Sequence, residues 1–149
     1  MEAPKQIKPG SLADYLEVMS KAVFQAGISW KVVESKWPAT KSAFHGFDPQ
    51  ALTKLKMAEV EDIARDPRII RNFRKIDAVI GNAQRMLELE KRHASFQKYL
   101  RSFNSYDELT RDMKKQFKFL GDMGCYYFLY VVGEKVPAYE EWRAKYRTV

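Results

Sequence analysis

Residues 66–75 read Asp-Pro-Arg-Ile-Ile-Arg-Asn-Phe-Arg-Lys, and residues 76–87 continue Ile-Asp-Ala-Val-Ile-Gly-Asn-Ala-Gln-Arg-Met-Leu. The Asp66-Pro67 pair stops a helix, because proline disfavours helical backbone in the residue before it. From Arg74 onward, Ile76, Val79, Ile80, Ala83, Met86 and Leu87 recur at intervals of three and four, the stripe of one helical face. Ahead of the turn, Val60, Ile63 and Ala64 make the same pattern over residues 58–65. The stretch is therefore a tight connection between two helices, studded with Arg68, Arg71, Arg74 and Lys75.

The rest of the chain follows the same period. Ser11 caps a helix with Leu12, Tyr15, Leu16, Met19 and Val23 on one face, ending near Gly27. Ser29 caps a second, which Pro38 is expected to interrupt or kink after Trp37. Asp48-Pro49 opens a short helix with the aspartate as cap and the proline at the first helical position. Residues 95–103, 106–119 and 121–132 show helical spacing, Gly133 reads as a stop, and Pro137 opens a last helix through Tyr146. No segment alternates with period two between hairpin turns. The expectation is all-α: a compact bundle of about eight short helices in one domain over residues 1–149, with 1–10 as a flexible or extended N-terminus.

Composition sets outer limits. The chain of 149 residues is 46% hydrophobic and 30% charged, enough for one core and unlike low-complexity or disordered sequence. Its longest apolar-rich stretch, Cys125 to Val132, is far shorter than the roughly 20 residues of a membrane span. No export signal follows Lys5 and Lys8, so a cytoplasmic location without membrane association is expected. A single cysteine excludes an internal disulfide. The net charge is +7, and residues 65–101 hold ten basic residues against four acidic ones, while the remainder holds sixteen against fifteen. Such concentration fits a surface meeting a polyanion, and equally a solvated basic helix.

Two segments can carry chemistry. A turn feeding a helix N-terminus presents unpaired N–H groups to an anion, and neighbouring arginines reinforce them, which is the physics of a DNA-binding helix-hairpin-helix. Arg68, Ile69, Ile70, Arg71, Asn72, Arg74 and Lys75 are the candidate contacts, with the two isoleucines turned inward as anchor. The rival is an ordinary helical hairpin with exposed arginines. The second segment is Phe24-Gln25-Ala26-Gly27-Ile28-Ser29-Trp30, where a glycine joint gathers an amide, a hydroxyl and an indole. An indole with a free face stacks on a flipped base; taken alone, the segment favours core packing for Trp30. No Gly-x-Ser-x-Gly elbow or glycine-rich phosphate loop occurs.

Together these segments resemble the bacterial DNA-3-methyladenine glycosylase I family, a branch of the helix-hairpin-helix glycosylases. The resemblance extends through Ala43-Phe44-His45-Gly46-Phe47-Asp48-Pro49, Lys75-Ile76-Asp77-Ala78-Val79-Ile80-Gly81-Asn82-Ala83, and Phe117-Lys118-Phe119-Leu120-Gly121 with Cys125-Tyr126, in the family's order. It implies duplex DNA carrying a damaged base as partner, a base pocket including Trp30, Gln25 and Ser29, and hydrolysis of the N-glycosidic bond of alkylated purines such as 3-methyladenine. It also exposes departures. Ala22 stands where the family has a pocket glutamate, Arg68 where the hairpin commonly has glycine, and Ala138 and Trp142 near the family's C-terminal zinc ligands. The N-terminal aromatic and zinc ligands have no counterpart. No metal is therefore expected; no cofactor is expected either, and the oligomeric state stays open, with a monomer as the expectation. Glu17 and Asp122 are the candidate replacement carboxylates. The alternatives are a non-catalytic module recognising damaged or distorted duplex, and a helical protein-interaction domain.

Overall fold

Ser11 accepts the Asp14 N–H and starts helix α1, Leu12–Gln25. Gly27 then turns the chain at φ +76°, a left-handed conformation that glycine adopts freely, and α2 runs Trp30–Ala43. A 3-10 turn at His45–Phe47 leads to α3, Pro49–Thr53, capped by Asp48 on the Gln50 N–H. Helix α4 is Met57–Arg65 and α5 is Phe73–His93. Helices α6, Phe96–Leu100, α7, Tyr106–Gln116, α8, Asp122–Val131, and α9, Tyr139–Tyr146, complete the computed structural model, which describes residues 3–146. Among the described residues there is no strand, and none of the helices is long and apolar enough to cross a membrane.

Helix α5 is the axis. It packs against α1, α3, α4 and α6, and α1 packs in turn against α8. Leu16, Met19 and Val23 of α1, Ile76, Val79, Ala83 and Met86 of α5, and Cys125, Phe128 and Leu129 of α8 are wholly buried. Burying such side chains stabilises by about 1.5–3 kcal/mol each, which is why the stripe on α5 organises the rest. Trp37, Phe44 and Phe47 stack in series with ring centroids 5.3 Å apart and hold α2 over this core.

Four local expectations change. Helix α2 continues through Pro38, which lies on its exposed side, where water can replace the missing donor. Helix α5, at 21 residues, is far from short. Helix α6 stops at Leu100 rather than Phe103, where the Ser102 hydroxyl takes the Tyr99 carbonyl. Helix α7 stops at Gln116 rather than Phe119: the buried Asn82 side chain accepts the Lys118 N–H at 2.8 Å and donates to the Lys118 carbonyl at 3.1 Å, drawing the chain off the helical path. Residues 3–10 form no helix and meet the last turn of α8, with the Ile7 N–H on the Val131 carbonyl at 2.8 Å and the Gln6 amide on the Tyr130 carbonyl at 2.9 Å.

Candidate nucleic-acid interface and base cavity

The connection between α4 and α5 is built by side chains that close on their own backbone. Asp66 accepts the Arg68 N–H at 2.9 Å and holds the Arg68 guanidinium through two further bonds at 3.0 and 2.8 Å. That guanidinium, and then the Arg68 amide, pull the Asp66 carboxyl down to about 2. Asn72 caps α5 by accepting the Lys75 N–H at 3.1 Å. Ile69 is buried and Ile70 half-buried against the core, so both anchor the turn. Arg71 and Arg74 are exposed beside the α5 N-terminus, where the helix dipole favours anions.

Lys75 corrects one sequence expectation. It is only 4% exposed, and its ammonium donates to the carbonyls of Phe24 and Ala26 at 3.1 and 2.5 Å. A lysine so enclosed satisfies the C-terminal carbonyls of α1 and does not face a phosphate. Burial lowers its pKa. The reason is register: Lys75 shares the inward face of α5 with Ile76, Val79 and Asn82. The basic excess is likewise spread along the whole of α5 and its flanks, about 30 Å at 1.5 Å per residue, and much of it is neutralised locally. Arg85 pairs with Glu88 and Arg101 with Glu134.

A cavity of about 660 Å³ opens between the N-terminal segment, α1, α2 and α8. Trp30 and Gln25 line it; Trp30 is 50% exposed, so its indole is not core packing. Ser29 is exposed at the α2 cap and outside the cavity lining. Glu17 lines the cavity, its carboxylate accepting Trp37 Nε1 at 2.9 Å and pairing with Lys41 at 3.0 Å. Asp122 does not; it pairs with Lys114 at 2.6 Å. Ala22 is buried toward α8, with the space a Cβ on Gly124 would take only 3.8 Å from its own Cβ. The cavity therefore draws its carboxylates from elsewhere.

Sequence reasoning missed Lys21, Glu34, Met123, Tyr127 and the N-terminal segment, all of which border this space. Part of the signal was available: Lys21 is one helical turn before Gln25, and Glu34 one turn after Trp30, so each shares a face with a residue already singled out. Lys21 and Glu34 form an ion pair across the two helices. Burial, with Glu34 and Glu17 adding repulsion, pushes the Tyr127 phenol up to about 12, so it remains a neutral hydroxyl. Among the described residues, no group of three or more His, Cys, Asp or Glu side chains could hold a metal ion.

The chain is thus a helical domain with an arginine-bearing hairpin, bonded through Lys75 to the loop before Trp30, and a cavity bordered by that indole. Comparison with known proteins specifies the kind. The sequence model of the family described as methyladenine glycosylase matches residues 13–116, and the chain belongs to that family. It is 32% identical over 130 residues to DNA-3-methyladenine glycosylase 1 of Escherichia coli K12, covering 73% of this chain and 70% of that protein. A crystal structure of 3-methyladenine DNA glycosylase I superposes with a TM-score of 0.71 at 26% identity, covering 85% of this chain and 81% of the other. The Staphylococcus aureus 3-methyladenine DNA glycosylase I shares the fold, with a TM-score of 0.76 at 23% identity over 87% of this chain and 80% of that one.

Proposed function

We propose that this protein is a DNA glycosylase of base-excision repair, which binds duplex DNA through the α4–α5 hairpin and releases an alkylated purine extruded beside Trp30. The observation that carries this reading is the Lys75 tie: the residue that opens α5 is bonded to the loop leading into Trp30. On this reading, a strand gripped at Arg71 and Arg74 delivers its base to the cavity beyond that loop. The family relationship supports the same reaction.

The chemistry asks little of the protein. A purine alkylated at N3 or N7 already carries positive charge, so when the bond from the sugar C1′ to the base nitrogen breaks, the electron pair neutralises the leaving base. Water supplies the hydroxyl that ends on C1′ and gives up a proton. The Trp30 face attracts a cationic ring through its π-system, Tyr127 offers a neutral hydroxyl donor, and Glu17 is the carboxylate we assign to the cationic transition state. The position corresponding to the family's pocket glutamate, Ala22, contributes none.

The experiment is release of free alkylpurine from methylated duplex DNA by stoichiometric protein. Release above background supports the reading. Binding to a duplex with an abasic-site analogue without any release selects a non-catalytic recognition module instead, a reading that Ala22 favours.

A further inference from the structure

Resting on the glycosylase reading, we infer that the cavity beside Trp30 accepts purines carrying alkyl groups larger than methyl. Its volume, about 660 Å³, falls well within the range of sites for drug-sized ligands, while a methylated purine is a single flat bicyclic ring. The surplus space has a chemical character. Ile7, Val18, Met123, Tyr127 and Val131 border it, so the wall beyond Trp30 is mostly hydrocarbon.

Helix α1 gives the recess Val18, and α8 gives it Met123, Tyr127 and Val131. The far wall is the N-terminal segment, which is held by the Ile7 and Gln6 bonds to the last turn of α8 and, among the described residues, contributes Ala3, Pro4, Lys5 and Ile7 to the lining. A purine stacked on Trp30 with its charge toward Glu17 and Glu34 leaves this apolar recess for its substituent. An alkyl chain entering it leaves water. Each methylene buried is worth about 0.8 kcal/mol, or roughly fourfold in kcat/KM.

The test is a size series. Duplex DNA alkylated with methyl, ethyl and butyl donors is incubated with the full chain, and each free alkylpurine is quantified. The expected result is ethyl and butyl release at least equal to methyl, rising by roughly fourfold per methylene while the chain stays in contact. Met123→Trp, at a half-exposed position that tolerates a larger side chain, narrows the recess and should lower the butyl-to-methyl ratio measured within one preparation. Efficient methyl release with a tenfold or greater drop at ethyl overturns the inference and leaves the glycosylase reading intact. A butyl-to-methyl ratio unmoved by Met123→Trp overturns it too. No release of any base, methyl included, removes the glycosylase reading and the inference with it.

Discussion

The Lys75 ammonium lies 2.5 Å from the Ala26 carbonyl oxygen, joining the first turn of α5 to the loop between α1 and α2. With a second bond to the Phe24 carbonyl, two of the three ammonium donors are held by backbone, and the residue is nearly completely buried. Hydrogen bonds from a charged donor are worth about 1.5–3 kcal/mol each, offset by the cost of burying the ammonium. Lys75→Met should therefore lower unfolding free energy by about 1–3 kcal/mol in urea titration. The salt dependence of its DNA binding should not change. An unchanged stability with a slope reduced by about one would instead make Lys75 a phosphate contact.

Arg71 and Arg74 have the opposite signature. Both are exposed and outside the ion pairs formed by the described residues. Replacing either with alanine should alter stability by no more than about 0.5 kcal/mol. Each should reduce the slope of log K against log salt by about 0.9, because one fewer counterion is released on binding. Fluorescence anisotropy with a labelled duplex over a range of salt concentrations measures this.

Trp30→Ala separates holding a strand from holding a base. The ring is half exposed, so the fold loses little. Stacking on one base is worth about 1–3 kcal/mol, and kcat/KM for alkylpurine release should fall roughly 5- to 150-fold. Duplex affinity should change by less than threefold. Equal losses in both would mean that the indole only supports the loop.

The helices were legible in the sequence wherever the chain punctuates itself. Ser11, Asp48-Pro49, Asp66-Pro67 and Gly133 mark ends with a cap, a ring constraint or a positive φ, and the structure ends its helices there. The α7 terminus was not legible, because Asn82 sets it from 36 residues away. The hairpin could be read for the same reason as the caps, its logic being local. Lys75 misled because a charge within a basic run reads as exposed, and only the register of α5 against α1 turns it inward. The cavity was half legible: Trp30, Gln25 and Glu17 were identified, but Met123, Tyr127 and the N-terminal segment reach it through the docking of α8, which no local pattern encodes.

The hairpin should carry its own pH signature. Asp66 titrates at about 2 in the folded chain, against about 3.9 when unfolded. Its folded value is depressed, so the stability it contributes is complete above about pH 4 and is lost as pH falls toward 2, where the unfolded chain binds the extra proton. Urea midpoints measured between pH 5 and 2 should fall less steeply in Asp66→Asn than in the parent chain. Parallel curves would mean that Arg68 does not hold the carboxylate in solution.

Glu17 and Asp122 divide the question of the carboxylate. Glu17→Gln keeps an oxygen to accept from Trp37 Nε1 and forfeits a partly exposed pair with Lys41, a loss of at most about 1 kcal/mol in stability. If its charge faces the cationic base, losing a contact worth about 1.5–3 kcal/mol lowers kcat/KM roughly 10- to 150-fold. Asp122 pairs with Lys114 away from the cavity lining, so Asp122→Asn should leave release within twofold of the parent rate. Single-turnover release from methylated duplex distinguishes the two. Equal, small effects would assign the cavity's charge to Glu34, whose carboxylate lines the same space one turn beyond Trp30.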